Sequence, residues 1–98
     1  MPSLDKIGHR ICEVLVKLAE IAYMEGYYRE SEQTCDAIIG RNPPQAHYMV
    51  FAFLMKSLFA DLNRETQTAD HYREKANALK SGCKVGDLDL FAKVRKRA

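Results

Sequence analysis

Between residues 45 and 60 the chain offers only four polar side chains, Gln45, His47, Lys56 and Ser57. Read as a helix, this segment has one apolar stripe of Tyr48, Phe51, Ala52, Met55 and Phe59. A second stripe, on a different side, consists of Ala46, Met49, Val50 and Phe53, with Leu54 and Leu58 between them. A helix apolar nearly all round must be covered nearly all round. A chain of 98 residues buries only about 60–70% of its unfolded surface, so little is left over to wrap one helix completely. Each large side chain left in water forgoes roughly 1.5–3 kcal/mol of burial free energy. The second stripe is therefore expected to be a contact surface for another chain or for a second copy of this one, since methionine and aromatic residues suit surfaces that accept a partner's helix. The competing reading is a central core helix enclosed by the rest of the chain.

The remaining punctuation divides the chain into five segments. The breaks are Gly26, the run Gly40, Arg41, Asn42, Pro43 and Pro44, then Asp61, Leu62 and Asn63, and finally Ser81 and Gly82. In the first segment Leu4, Ile7, Ile11, Val14, Leu15, Leu18, Ile21 and Ala22 recur at helical steps. Asp5, Lys6, His9, Arg10, Glu13, Lys17 and Glu20 fill the other side, with Ser3 as N-cap and Gly26 as stop. The second segment, about 27–39, carries Tyr28, Ser31, Cys35 and Ile38 on one stripe. The fourth, about 64–80, carries Ala69, Tyr72, Ala76 and Leu79. The fifth, from about Val85, shows Leu88, Phe91 and Val94 before the basic Lys93, Arg95, Lys96 and Arg97. No useful strand alternation occurs, so the fold class is all-α, five helices in a single domain over residues 1–98.

Composition narrows the function. A net charge of +2 gives no general case for nucleic acid or membrane. The basic end is a short cluster without interleaved aromatics, and it suits the dipole of a helix C-terminus. Cys12, Cys35 and Cys83 are odd in number and far apart, which reads as buried thiols in a reducing cytosol rather than a disulfide scaffold. A cytoplasmic location is expected, because Glu13, Lys17 and Glu20 break the first apolar stretch and spoil it as a signal-peptide core. Nothing approaches the ~20 apolar residues of a membrane span. His9, His47 and His71 stand apart from the cysteines, no zinc-type spacing is present, and Gly82 and Gly86 follow no strand. No catalysis, metal or cofactor is expected.

An internal repeat organises the first half. Leu18 and Ala19 precede Ala22 and Tyr23, Gly26 closes the helix, Tyr28, Ser31, Cys35 and Ile38 follow, and Pro43 ends the unit. Small residues at Ala19 and Ser31 would let two helices approach closely. Tyr48, Phe51, Ala52 and Met55 repeat the spacing of Leu15, Leu18, Ala19 and Ala22, 33 residues on (48 − 15). Ala69 and Ala76 read as the small positions of the second unit, which demands a loop about five residues longer than usual. Residues 15–43 resemble a tetratricopeptide repeat, a two-helix unit of about 34 residues. About two and a half such helical hairpins would fill the chain, the last helix acting as a cap. Ser31, Cys35 and Ile38 depart from the more usual alanine and aromatic residues.

Residues 16–97 as a whole are similar to a narrower family, the larger cytosolic co-chaperones of type III secretion needle subunits. The likeness lies in the helix–glycine–aromatic turn of residues 18–28, the apolar helix of residues 48–58, and the tail with Leu88, Phe91 and Arg95. The resemblance implies a chaperone without chemistry, which pairs with a small helical co-chaperone. Together they hold the needle subunit's helix in a concave groove and prevent its polymerisation. By repeat position that groove would be lined by Val16, Glu20, Tyr23, Met49, Phe53 and Lys56, on the same face as Ala46 and Val50. Glu20 and Lys56 would set the register of the guest helix. The alternatives are a general repeat adaptor for a short peptide, and a homodimer formed through the same stripe.

Overall fold

The computed structural model describes residues 4–80, with side chains from Lys6 onward. Four helices follow one another: α1 (Leu4–Met24), α2 (Tyr28–Arg41), α3 (Ala46–Leu62) and α4 (Thr66–Lys80). No strand occurs among the described residues. The N-cap expected at Ser3, the fifth helix expected from Val85, Cys83 and the basic cluster of residues 93–97 lie outside them.

Two turns of one design set the architecture. α1 ends with Gly26 in the left-handed region (φ 86°), where Gly26 N–H donates to the Tyr23 carbonyl and Tyr27 N–H donates to that of Ala22. This is the paired 5→2 and 6→1 arrangement that satisfies a helix's last carbonyls. α3 ends the same way: Arg64 (φ 61°) donates to Asp61 and Glu65 donates to Ala60. The first full turns also correspond, Ser31 N–H donating to Tyr27 and Ala69 N–H to Glu65. Every participant in the second turn stands 38 residues after its counterpart (64 − 26). The 33-residue shift seen in the first helices and the 38-residue shift at the turns differ by five residues. Those residues carry the C-terminal end of α3 past the point that the 33-residue shift assigns to it, and its connection to α4 is as short as that between α1 and α2. The expected long loop is therefore absent, because α3 keeps its helical hydrogen bonds through Leu62.

Each turn folds two helices back on each other. In the first hairpin, Ser31 Oγ donates to the Ala19 carbonyl at 2.7 Å. In the second, Phe53 and Tyr72 stack with ring centroids 6.2 Å apart. α1 and α3 run in the same sense, joined by Tyr48 Oη with His9 Nδ1 at 2.9 Å near their starts and by the Tyr23–Phe59 ring contact near their ends. α2 runs against α3, with Glu32 and Asp36 meeting Lys56.

α3 is the central helix. Its Tyr48, Phe51, Ala52, Met55 and Phe59 form one core cluster with Cys12, Val16, Ala19 and Tyr23 of α1 and Cys35 and Ile38 of α2. Its Val50 and Phe53 form a second cluster with Ala76 of α4, closed by Tyr72 and Leu79. The stripe expected to be a contact surface is thus largely interior: Val50 is 2% and Phe53 8% exposed. The physical reason is α4, whose fully buried Ala69 and Ala76 let its backbone lie close, so that a thin apolar stripe covers a broad one.

The first helix departs from expectation in the opposite direction. Its interior row is Cys12, Val16, Ala19 and Tyr23. Most of the row that dominates its apolar face faces water instead: Ile7 is 43%, Val14 58%, Leu18 51% and Ile21 56% exposed. Ala19 decides this. Once it lies against Ser31, residues 14, 18 and 21 stand roughly 100–160° round the helix at 3.6 residues per turn.

Candidate helix-docking surface

Ile7, Ile11, Val14, Leu18 and Ile21 follow steps of four, three, four and three residues. That is a 3.5-residue period, the narrow seam of a helix that pairs with another helix. Each exposed member forgoes on the order of 1 kcal/mol of burial. A row of four such side chains is the kind of contiguous apolar surface that marks an interaction site, whereas single exposed apolar residues need no explanation. Tyr27, Tyr28 and Leu62, the other exposed large apolar side chains among the described residues, sit at the two hairpin turns.

The upper half of the row borders a shallow, open depression of about 310 Å³, lined by Ile7, Arg10, Ile11, Val14 and Leu15. Ile7, Arg10, Ile11 and Val14 stand at i, i+3, i+4 and i+7. Four residues so placed form the diamond-shaped hole that receives one side chain of a facing helix. One flank of the row is closed by the chain's own core, through half-buried Leu15 and Ala22 and buried Cys12 and Ala19. The open flank carries Arg10 and Lys17, both exposed. Lys17 meets Glu20 at 3.7 Å, a long pair that leaves 60% of the lysine side chain in solvent.

The second hairpin shows how this face is used elsewhere in the molecule. Advanced by 38 residues, Val14, Leu18 and Ile21 become Ala52, Lys56 and Phe59. Those are the residues α3 turns toward α2: Lys56 Nζ lies 3.0 Å from Glu32 Oε2 and 2.9 Å from Asp36 Oδ1. The Phe59 ring lies 6.5 Å from Tyr28, and Ala52 is fully buried. The face of α1 that no described helix covers is the equivalent of the face of α3 that α2 covers.

The residues expected to line a groove are distributed differently. Val16 and Tyr23 are buried in the α1–α2–α3 core, and Glu20 is only 9% exposed. Val50 and Phe53 lie under α4. Ala46 and Met49 are partly buried, Met49 packing against the α3–α4 cluster. Lys56 is only 13% exposed in its side chain and lies 5.6 Å from the centre of the Tyr72 ring. Burial alone would lower the pKa of its ammonium, but the hydrogen bonds it donates to Asp36 and Glu32 outweigh that and hold it above the ordinary lysine value. Lys56 thus ties α2 to α3, already occupied by two carboxylates of its own chain.

Cys35 is buried beside this group, and burial, with Asp36 adding to it, pushes its thiol up to about 12. Burial also raises Cys12, against the opposing pull of Arg41. Both thiols are therefore protonated and unreactive at neutral pH, because the thiolate is the nucleophilic form. His9 joins Tyr48 Oη at 2.9 Å and Glu13 at 2.9 Å, where it fastens α1 to α3. Among the described residues no group of three histidine, cysteine or acidic side chains could hold a metal ion. No helix of theirs is long and apolar enough to cross a membrane.

The signal for the α1 surface lay in the sequence as the strict 4-3-4-3 spacing. Sequence reasoning assigned that row to the amphipathic face of the helix without separating it from the adjacent row at 12, 16, 19 and 23. Comparison with protein families, curated proteins and solved structures found no family model, no curated protein and no solved structure that matches the chain.

Proposed function

We propose that the chain is a chaperone that works by holding a partner's helix, built as a tetratricopeptide-like array. Its resemblance to the needle-subunit co-chaperones of type III secretion gives this reading its narrower form. The chain pairs with a small helical protein and keeps an aggregation-prone secreted subunit from polymerising in the cytoplasm. The observation that carries the reading is the exposed row Ile7, Val14, Leu18 and Ile21 on a helix whose interior row is separately satisfied. A helix with one face in its own core and a second at coiled-coil spacing in water has the form of half an interface. Two hairpins in the same sense, with small residues at the α1–α2 crossing, support the repeat assignment.

The guest is held on α1 rather than in the groove implied by the resemblance, because Val16, Tyr23, Val50 and Phe53 are committed to the interior. Binding the guest's apolar helix one-to-one lowers its free concentration by mass action, and no covalent step is needed.

The test is solution mass by light scattering after size exclusion, on the chain alone and co-expressed with the products of its neighbouring genes. The reading expects a defined complex with one or two small helical proteins. A clean monomer in both preparations would remove it.

A further inference from the structure

We infer that the outer face of α1 takes a single helix from a different protein, lying antiparallel to α1 as α2 lies on α3, with carboxylates opposite Arg10 and Lys17. The inference rests on the helix-holding function proposed above and adds the partner's orientation and charge. Three observations carry it. Ile7, Arg10, Ile11 and Val14 border an open depression, and their spacing is that of the four residues that receive one apolar side chain of a facing helix. The 38-residue equivalence makes α1's free face the counterpart of the α3 face that α2 covers, running the other way. In that internal example the covering helix brings two carboxylates four residues apart, Glu32 and Asp36, to Lys56; the counterpart of Lys56 on α1 is Leu18, and there the flanking Arg10 and Lys17 supply the cations instead.

The flanking charges select among occupants. With Leu4, Ile11 and Leu18 as one seam position and Ile7, Val14 and Ile21 as the other, Arg10 and Lys17 both occupy the position that flanks the seam on its open side. In an antiparallel pair of two identical α1 helices these positions face each other, so Arg10 would meet Lys17 of the second copy. A parallel pair would aim them at the flank of Leu15 and Ala22, which the chain's own core already closes. Like charges disfavour a second copy. Residues 81–98 are disfavoured for the same reason, with five basic residues against Asp87 and Asp89. A helix with an apolar seam and glutamate or aspartate along one flank meets both requirements.

The experiment titrates the full chain with two designed four-heptad peptides that carry leucine at the seam and either glutamate or lysine along both flanks. Each peptide's own like charges oppose its self-pairing. The glutamate peptide is expected to bind about tenfold more tightly than the lysine peptide at low salt, with the difference shrinking as salt rises. The double variant Arg10→Glu with Lys17→Glu is expected to reverse the preference, and Leu18→Asp to abolish binding of both. Circular dichroism of each variant shows that these exposed positions leave the fold intact.

Equal binding of the two peptides, lost in Leu18→Asp, would overturn the acidic-flank inference while leaving a helix-holding surface in place. Binding of neither peptide by a chain that is dimeric in solution, with the dimer dissolved by Leu18→Asp, would assign the face to a second copy and overturn the inference. Binding of neither by a monomer would overturn both this inference and the proposed function.

Discussion

Ser31 donates its hydroxyl hydrogen to the carbonyl oxygen of Ala19 at 2.7 Å, across two helices that meet here through a serine and an alanine. Both residues are fully buried. The contact fixes the rotation of α1 about its axis, and so determines which of its two apolar rows is interior. Ser57 and Ala69 stand at the same steps from the second turn, seven before Arg64 and five after it, and both are buried. The second hairpin therefore carries a buried serine and a buried alanine at the equivalent positions, in reversed order, with the Ser57 hydroxyl donating to the Leu54 carbonyl of its own helix.

Enlarging this crossing should be costly. Ala19→Leu is expected to destabilise the chain by about 1–3 kcal/mol, because a well-packed interior absorbs added methylenes only by shifting backbone. Ser31→Ala removes one buried hydrogen bond and leaves the shape, at about 1 kcal/mol. Urea denaturation measures both. A smaller loss for Ala19→Leu than for Ser31→Ala would mean that the helices do not cross at this point.

The two turns differ in one residue that matters. Gly26 adopts its left-handed conformation without steric cost, whereas Arg64 holds the same conformation with a side chain. Arg64→Gly is expected to raise stability by about 0.5–1 kcal/mol, and Gly26→Ala to lower it by about 1 kcal/mol. A β-carbon added at Gly26 meets nothing within 4 Å, so that loss is conformational rather than a clash. Thermal melts of the two variants, shifting in opposite directions, check the assignment.

Alkaline pH should loosen the core before it affects the surface. The buried Cys35 thiol is pushed from 9.0 up to about 12. Between those values the unfolded chain has lost the thiol proton and the folded chain retains it. The unfolded state then binds fewer protons, and stability falls as pH rises. The loss is fully absent below pH 9 and grows at about 1.4 kcal/mol per pH unit toward 12. Lys56, also held above its ordinary value by Asp36 and Glu32, acts in the same direction at the upper end of that range. Urea unfolding midpoints from pH 8 to 11 should drop less steeply in Cys35→Ala than in the parent chain.

Much of this architecture was legible in the sequence, for identifiable reasons. Gly26, the prolines at 43 and 44, and the break read at Asp61, Leu62 and Asn63 separated the four helices, because glycine and proline are backbone constraints that packing does not override. Ala19 with Ser31, and Ala69 with Ala76, announced close approach through their size, and all four are fully buried. Two features were misread. A chain this short was expected to leave part of α3 uncovered, yet Tyr72, Ala76 and Leu79 pack against Val50 and Phe53, and backbone proximity at the small Ala76 does what apolar bulk does elsewhere. In α1 two parallel rows share the same helical spacing, and periodicity alone gives no choice between them. The choice follows only when the partner of Ala19 is known.

The exposed row on α1 is the central claim, and the mass of the co-expressed complex formed by Leu18→Asp tests it most directly. Leu18 is half exposed, so the variant should melt within about 0.5 kcal/mol of the parent chain. It should nonetheless elute as the isolated chain, separated from its helical partner. Phe53→Asp, buried under α4, should unfold and serves as the contrasting case. A Leu18→Asp chain that still forms the full-mass complex, or that loses its own fold, would contradict the account.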